Sequence, residues 1–268
     1  MLNHIIKEVD IAIYKAYEIM AQQHYIPFIL YIARADIVPG LSRCVKTDCV
    51  IGYELDRYFD ETRERFYLRY LSRNYNKDGF CYEGERGIDD LSIEMMIYSH
   101  IWESHYFLKS LRRIAGVLAN EGYLWNVDIK PTGKWNYINN NIIKPLKCSC
   151  PELANIVEIA YSSDIRNAFA HSLYVIDSQR QEIHIRPKRN SRVITFKEFQ
   201  KKFLYSAILM NHMQNALETN HIAAARKNTA LTEVFKTPEG VNVQVIACVK
   251  VVDGVEYPEF YLNRISPT

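Results

Sequence analysis

The sequence lacks most of the short motifs that announce a chemistry. It has no Walker-type phosphate loop, no dinucleotide-binding glycine fingerprint and no Gly-x-Ser-x-Gly elbow. Nothing in it therefore points to a P-loop NTPase, a nicotinamide enzyme or an α/β-hydrolase. No CxxC pair occurs among the six cysteines, Cys44, Cys49, Cys81, Cys148, Cys150 and Cys248. Cys148-x-Cys150 alone is a poor tetrahedral half-site, so the thiols read as structural or incidental, and no metal or other cofactor is expected. No apolar run reaches the ~18 residues that a membrane span requires. Lys7, Glu8 and Asp10 interrupt the apolar residues where a signal peptide needs them continuous. The expectation is a soluble, cytoplasmic protein in a reducing compartment. Net charge is scarce too: +2 overall, too little for a protein that coats nucleic acid. Any RNA contact has to come from a local patch. Repeats and low-complexity segments are absent.

What is present suits one large domain, or one domain with an appendage. The chain has 268 residues, 48% of them hydrophobic, and 19 tyrosines that favour half-buried positions with a wet hydroxyl. Apolar residues at helical spacing predict an amphipathic helix over 2–23. The piece from Phe28 to Ile37 is compatible with helix or strand, and a further helix is expected over 52–75. Gly79, Gly84 and Gly87 make 74–87 the best boundary. A long helix is predicted from Asp89-Asp90 to about Asn120, with the acids near its positive end. A shorter one covers 135–143, and another runs from Pro151, well placed in a first turn, to Ala170. Leu173 to Asp177 and Glu182 to Arg186 alternate and read as a hairpin. Thr195-Phe196-Lys197-Glu198 is a capping box that opens a last long helix to about Lys227. The tail is β-branched and carries Asp253-Gly254, a tight-hairpin pair.

The chemistry collects at the end of the 151–170 run, in Ser163-Asp164-Ile165-Arg166-Asn167-Ala168-Phe169-Ala170-His171-Ser172. On a helix Asp164, Asn167 and His171 fall at i, i+3 and i+7 and share a face. Arg166 lies one step off it. Arginine offers a planar fork matched to phosphate, and histidine exchanges protons near neutral pH. None of the other seven histidines has an arginine five to seven positions before it. A purely structural reading stands beside this one: such a cluster can cap a helix end and pair with acids such as Asp164.

Arg166-Asn167-Ala168-Phe169-Ala170-His171 resembles the signature of the HEPN superfamily, an Arg, a polar residue that is often Asn, and a His a few residues on. The resemblance covers Gly87 to Asn228, and these six residues are its specific part. The order of elements already predicts a mainly α fold with a small β-hairpin insertion after the motif helix and a short β tail, and the resemblance implies that its helices form a HEPN-like bundle. It also implies a homodimer with the Arg and His of both chains in one cleft, and metal-independent cleavage of RNA. Arg166 would hold the phosphate, His171 would act as acid or base, and Asn167 would orient His171 or the substrate. A toxin or a defence or stress effector is the implied setting, with a regulatory protein partner as a further expectation. The competing reading is a non-catalytic module of the same type that binds nucleotide, RNA or a partner protein.

Two features lie near the motif. Between Arg180 and Lys202 stand eight basic residues against two acidic ones; Arg186, Lys188, Arg189 and Arg192 are candidate RNA-backbone contacts, and a solvated loop is the alternative. On the long helix, Glu103 is a candidate partner of Arg166 or His171, as is Asp164. His100-x-x-Glu103 also suggests a metal half-site, but no complementary pair lies on another helix. The division expected is an N-terminal helical extension over 1–86, the bundle over 87–228 and a β appendage over 229–268.

Overall fold

The structure, a computed structural model, describes residues 1–42, 47–52, 55–76, 79–80, 88–130, 132–185, 191–227 and 234–265. It is mainly α, with small antiparallel sheets. Helix α1 (Leu2–Gln23) buries Ile5, Val9, Ile13, Ala16 and Met20 of the expected helical stripe, leaves Ile6 half-buried and adds Leu2. The ambiguous piece after it resolves into both states: α2 (Tyr25–Ile32) and then β1 (Asp36–Ser42), which pairs with β2 (Thr47–Val50). Helix α3 (Leu55–Asn74) and the short β3 (Tyr75–Asn76) and β4 (Gly79–Phe80) follow. The boundary expected at 74–87 falls largely outside the described residues.

The long helix expected over 89–120 is two helices, α4 (Ile88–Glu103) and α5 (His105–Leu118). Ser104 turns extended and its hydroxyl accepts the Phe107 N–H, 3.0 Å away, which ends one helix and caps the next. From Lys134 the chain is helical to Ser149, through α6 (Lys134–Ile138), a π-type turn (Asn139–Ile143) and α7 (Lys144–Ser149). The single run expected over 151–170 is also broken. Pro151 opens α8 (Pro151–Ala160), and α9 (Ser163–Ala170) carries the motif alone.

Between α8 and α9, Tyr161 and Ser162 are extended. The buried Tyr98 hydroxyl spans the break: it donates to Ala160 C=O at 2.9 Å and accepts the Ser162 N–H at 2.7 Å. Lys202 Nζ donates to Ile159 C=O at 2.7 Å. Ser206 Oγ, which accepts from Trp102 Nε1, lies 3.3 Å from Ala160 O. Orphaned backbone groups inside the core thus find side-chain partners.

Helix α9 ends in a Schellman motif. Leu173 N–H bonds Ala168 C=O and Ser172 N–H bonds Phe169 C=O, with Ser172 left-handed at φ 53°. Beyond it β5 (Tyr174–Asp177), β6 (Glu182–Ile185) and β7 (Arg192–Thr195) form a meander; the predicted hairpin gains a third strand. The capping box then opens α10 (Phe196–Arg226), in which Thr195 Oγ1 accepts the Glu198 N–H and Glu198 returns a carboxylate to Thr195 N–H.

Helix α10 packs against α1, α4, α8 and the C-terminal sheet. That sheet joins β8 (Phe235–Lys236), β9 (Asn242–Val252) and β10 (Val255–Arg264). Positive φ at Asp253 and Gly254 gives the predicted tight turn. Val245, Ala247 and Phe260 reach the same core as Leu2, Met20 and Phe203. Residues on both sides of each expected domain boundary therefore share one hydrophobic core.

Two substitutions test this account by urea unfolding. Tyr98→Phe leaves the Ser162 amide without its partner and the Ala160 carbonyl with only the longer Ser206 contact, and is expected to cost about 1–3 kcal/mol. Ser172→Gly relieves a left-handed serine and is expected to gain about 0.5–1 kcal/mol.

Candidate active site

Arg166 projects from α9 toward the C-terminal end of α4. Its Nε lies 2.6 Å from Glu103 Oε1, an ion-pair contact whose N–H is not aligned for a hydrogen bond. The other oxygen of Glu103 accepts from Lys134 Nζ. One carboxylate is thus shared by two cations from different segments. Lys134 is buried, and burial lowers its pKa; Glu103 opposes that shift and the nearby Arg166 adds to it. Tyr161 closes the cluster. Burial pushes its phenol up to about 12, with Arg166 pulling down and Glu103 up.

Asn167 is exposed, and its Oδ1 accepts from Arg166 Nη1 at 2.7 Å. The side-chain amide therefore orients the arginine, and Asn167 meets His171 only through the backbone, where its carbonyl accepts the His171 N–H at 3.0 Å. Asp164 is paired with neither Arg166 nor His171. It accepts from Arg192 Nη1 at 3.0 Å and ties β7 to the first turn of α9. His171 stands at the C-cap of α9, exposed, and its ring makes no hydrogen bond among the described residues. The carbonyls of Asn167, Ala168 and Phe169 are already taken by the backbone amides of residues 171–173.

The structure thus brings Arg166, Asn167 and Glu103 into one cluster and sets His171 at the open end of the same helix. Of the candidate RNA contacts, Arg192 is engaged with Asp164, while Arg186, Lys188 and Arg189 lie outside the described residues. Lys134 and Tyr161 were not singled out in the sequence. Lys134 is 31 positions from Glu103 in the chain, and no local pattern marks a lysine that will be buried. Tyr161, five residues before Arg166, would have been found by noticing that an aromatic interrupts a run of small residues.

Three of the other histidines have partners of their own. His212 Nδ1 meets Asp10 at 2.5 Å, His184 lies 3.3 Å from Glu182, and buried His221 contacts Ile32 O. Among the described residues, no group of three or more His, Cys, Asp or Glu is placed to hold a metal ion. Cys49, Cys148, Cys150 and Cys248 are free thiols. A groove of about 890 Å³ runs between α1, α2 and α10, floored by Ile13, Tyr17, Phe28, Ile29 and Ala216, and no motif residue lines it. No helix among the described residues is long and apolar enough to cross a membrane. Comparisons with protein-family models, with curated proteins and with solved structures found no match.

Glu103→Gln removes the charge that compensates buried Lys134 while keeping the shape of the side chain. The expected outcome is a loss of about 1–3 kcal/mol in urea unfolding. An unchanged midpoint would mean that Lys134 does not depend on this carboxylate.

Proposed function

We propose that the chain is a metal-independent endoribonuclease of the HEPN type, acting as a homodimer through Arg166, Asn167 and His171. The observation that carries this reading is the state of His171. Its imidazole is exposed and makes no hydrogen bond among the described residues, at a helix end where backbone amides already cap the carbonyls of Asn167, Ala168 and Phe169. A histidine kept for capping or for pairing with Asp164 would look different.

The chemistry follows from what RNA requires. The 2′-hydroxyl attacks the adjacent phosphorus, the bond to the 5′-oxygen breaks, and a 2′,3′-cyclic phosphate forms. A base takes the 2′ proton, an acid protonates the departing oxygen, and a cation faces the charge that builds on phosphorus. Arg166 supplies the cation. Glu103 and Asn167 hold its guanidinium by Nε and Nη1, leaving Nη2 without a partner among the described residues. Such preorientation lowers the cost of gripping a phosphate. One chain offers one His171. A two-fold axis beside α9 would bring a second, so that one imidazole serves as base and the other as acid. The implied setting is a toxin or a defence or stress effector.

The groove between α1, α2 and α10 favours a second reading. It is large enough for a small ligand and remote from the motif. A non-catalytic module would bind there, or along the same polar edge.

The deciding assay is cleavage of varied RNAs with a chelator present. Native protein is expected to leave cyclic-phosphate ends, and His171→Ala is expected to lose about 10²–10⁴ in rate. Arg166→Ala should lose a comparable factor while keeping its helical circular dichroism. A folded dimer that leaves every RNA intact supports the binding module. Cleavage that persists in both variants removes the motif from the account.

A further inference from the structure

We infer that Trp135 is a stacking platform for an unpaired nucleobase, set beside the cation that receives the phosphate. The inference deepens the reading above, because it takes the Arg166 cluster as a site for RNA. The chain has three tryptophans. Trp102 and Trp125 are buried, whereas Trp135 is 51% exposed. An indole left half in water is uncommon enough to need a reason, and here the surroundings supply one.

Trp135 lies nearly parallel to Tyr161, with ring centroids 6.1 Å apart and planes 13° from coplanar. Tyr161 in turn packs on buried Trp102 at 4.8 Å. One face of the indole is therefore backed by Tyr161, itself seated at a 58° tilt on buried Trp102, and its exposure places the other in solvent. The residue before it fixes this orientation. Lys134 is buried and bound to Glu103, so the backbone at 134–135 is anchored with the lysine inward and the indole outward.

The same Glu103 contacts Arg166, and Tyr161 stands within electrostatic reach of both. Lys134, the second cation on Glu103, is buried out of a ligand's reach, so Tyr161 stands between a flat apolar surface and one cation, Arg166. A ligand that satisfies both has a planar ring and a neighbouring anion, which describes a nucleotide unit of RNA. Stacking on tryptophan is tolerant of sequence but grows with the area of the base. The preference expected of Trp135 is therefore purine over pyrimidine, for a base not already covered by a neighbour.

Binding can be separated from cleavage with short 2′-O-methyl oligonucleotides, which lack the attacking hydroxyl. Oligoadenylate is expected to quench the solvent-exposed tryptophan emission of the full chain and to protect it from acrylamide. By fluorescence polarisation with labelled oligonucleotides, Trp135→Ala should bind oligoadenylate about 5- to 150-fold more weakly. Trp135→Phe should recover part of the loss, and the preference for adenine over uracil should fall in the alanine variant. Unchanged affinity and base preference in Trp135→Ala would overturn the inference, as would failure of every oligonucleotide to bind. If RNA is cut but Trp135→Ala changes neither KM nor base preference, the platform falls and the ribonuclease reading stands. If Trp135→Ala weakens binding while native RNA is never cut, the platform stands and the cleavage reading falls.

Discussion

The geometry of the candidate site depends on one hydroxyl. Where α8 gives way to α9, the chain leaves a carbonyl and an amide with no helical partner, and does so inside the core. Tyr98 answers both from α4, donating to Ala160 and accepting from Ser162. Burial pushes its phenol well above the ordinary range, so it remains a donor. Without such a partner, an interrupted helix at this depth would lose the full solvation of two backbone groups. With it, α9 is free to turn, and Arg166 is carried to the end of the helix that supplied the tyrosine. Tyr98 and Glu103 stand at two points of α4, one fixing the break and the other receiving the arginine.

Glu103 does a different kind of work. A carboxylate shared between a buried lysine and a mostly buried arginine recovers little net energy, since both cations leave water to reach it. Its value lies in position. The lysine fixes the start of α6, the arginine fixes the side of α9, and the aromatic column of Trp102, Tyr161 and Trp135 fills the space beside them. Polar and apolar contacts specify the same arrangement, and that agreement is characteristic of a well-determined local structure.

Much of this fold is legible in the sequence because its signals are local. The apolar stripe of α1, the capping box at Thr195 and Glu198, the Asp253-Gly254 turn and the alternation after His171 each act within a few residues. The helix breaks were harder for two distinct reasons. At Ser104 the signal is local, a serine that caps, but the apolar periodicity runs straight through it. At Tyr161–Ser162 the cause is tertiary: Tyr98, Lys202 and Ser206 come from two other helices, and no window on the sequence contains them all. The same holds for domain organisation, since the partner of α1 is α10. The motif itself, and Glu103 as partner of Arg166, were visible as residue types at a spacing. That Asn167 would serve Arg166, or that Asp164 would serve Arg192, depends on rotations that spacing does not determine.

The pairing of the first helix with the last long one has a consequence for how the protein is made. Glu8 of α1 meets Tyr205 of α10 across 197 positions, and Asp10 meets His212 across 202. At a synthesis rate of about 5–20 residues per second, the apolar stripe from Leu2 to Met20 waits roughly 10–40 s for its partner to emerge. During that interval α2, α5 and α8 emerge and can cover part of its apolar side, while the part that α10 covers stays open, the kind of surface that chaperones shield. Closure of the bundle therefore waits on α10, and a ribosome stalled before that helix would leave a nascent chain that has its motif but lacks the helix packed on both α1 and α8.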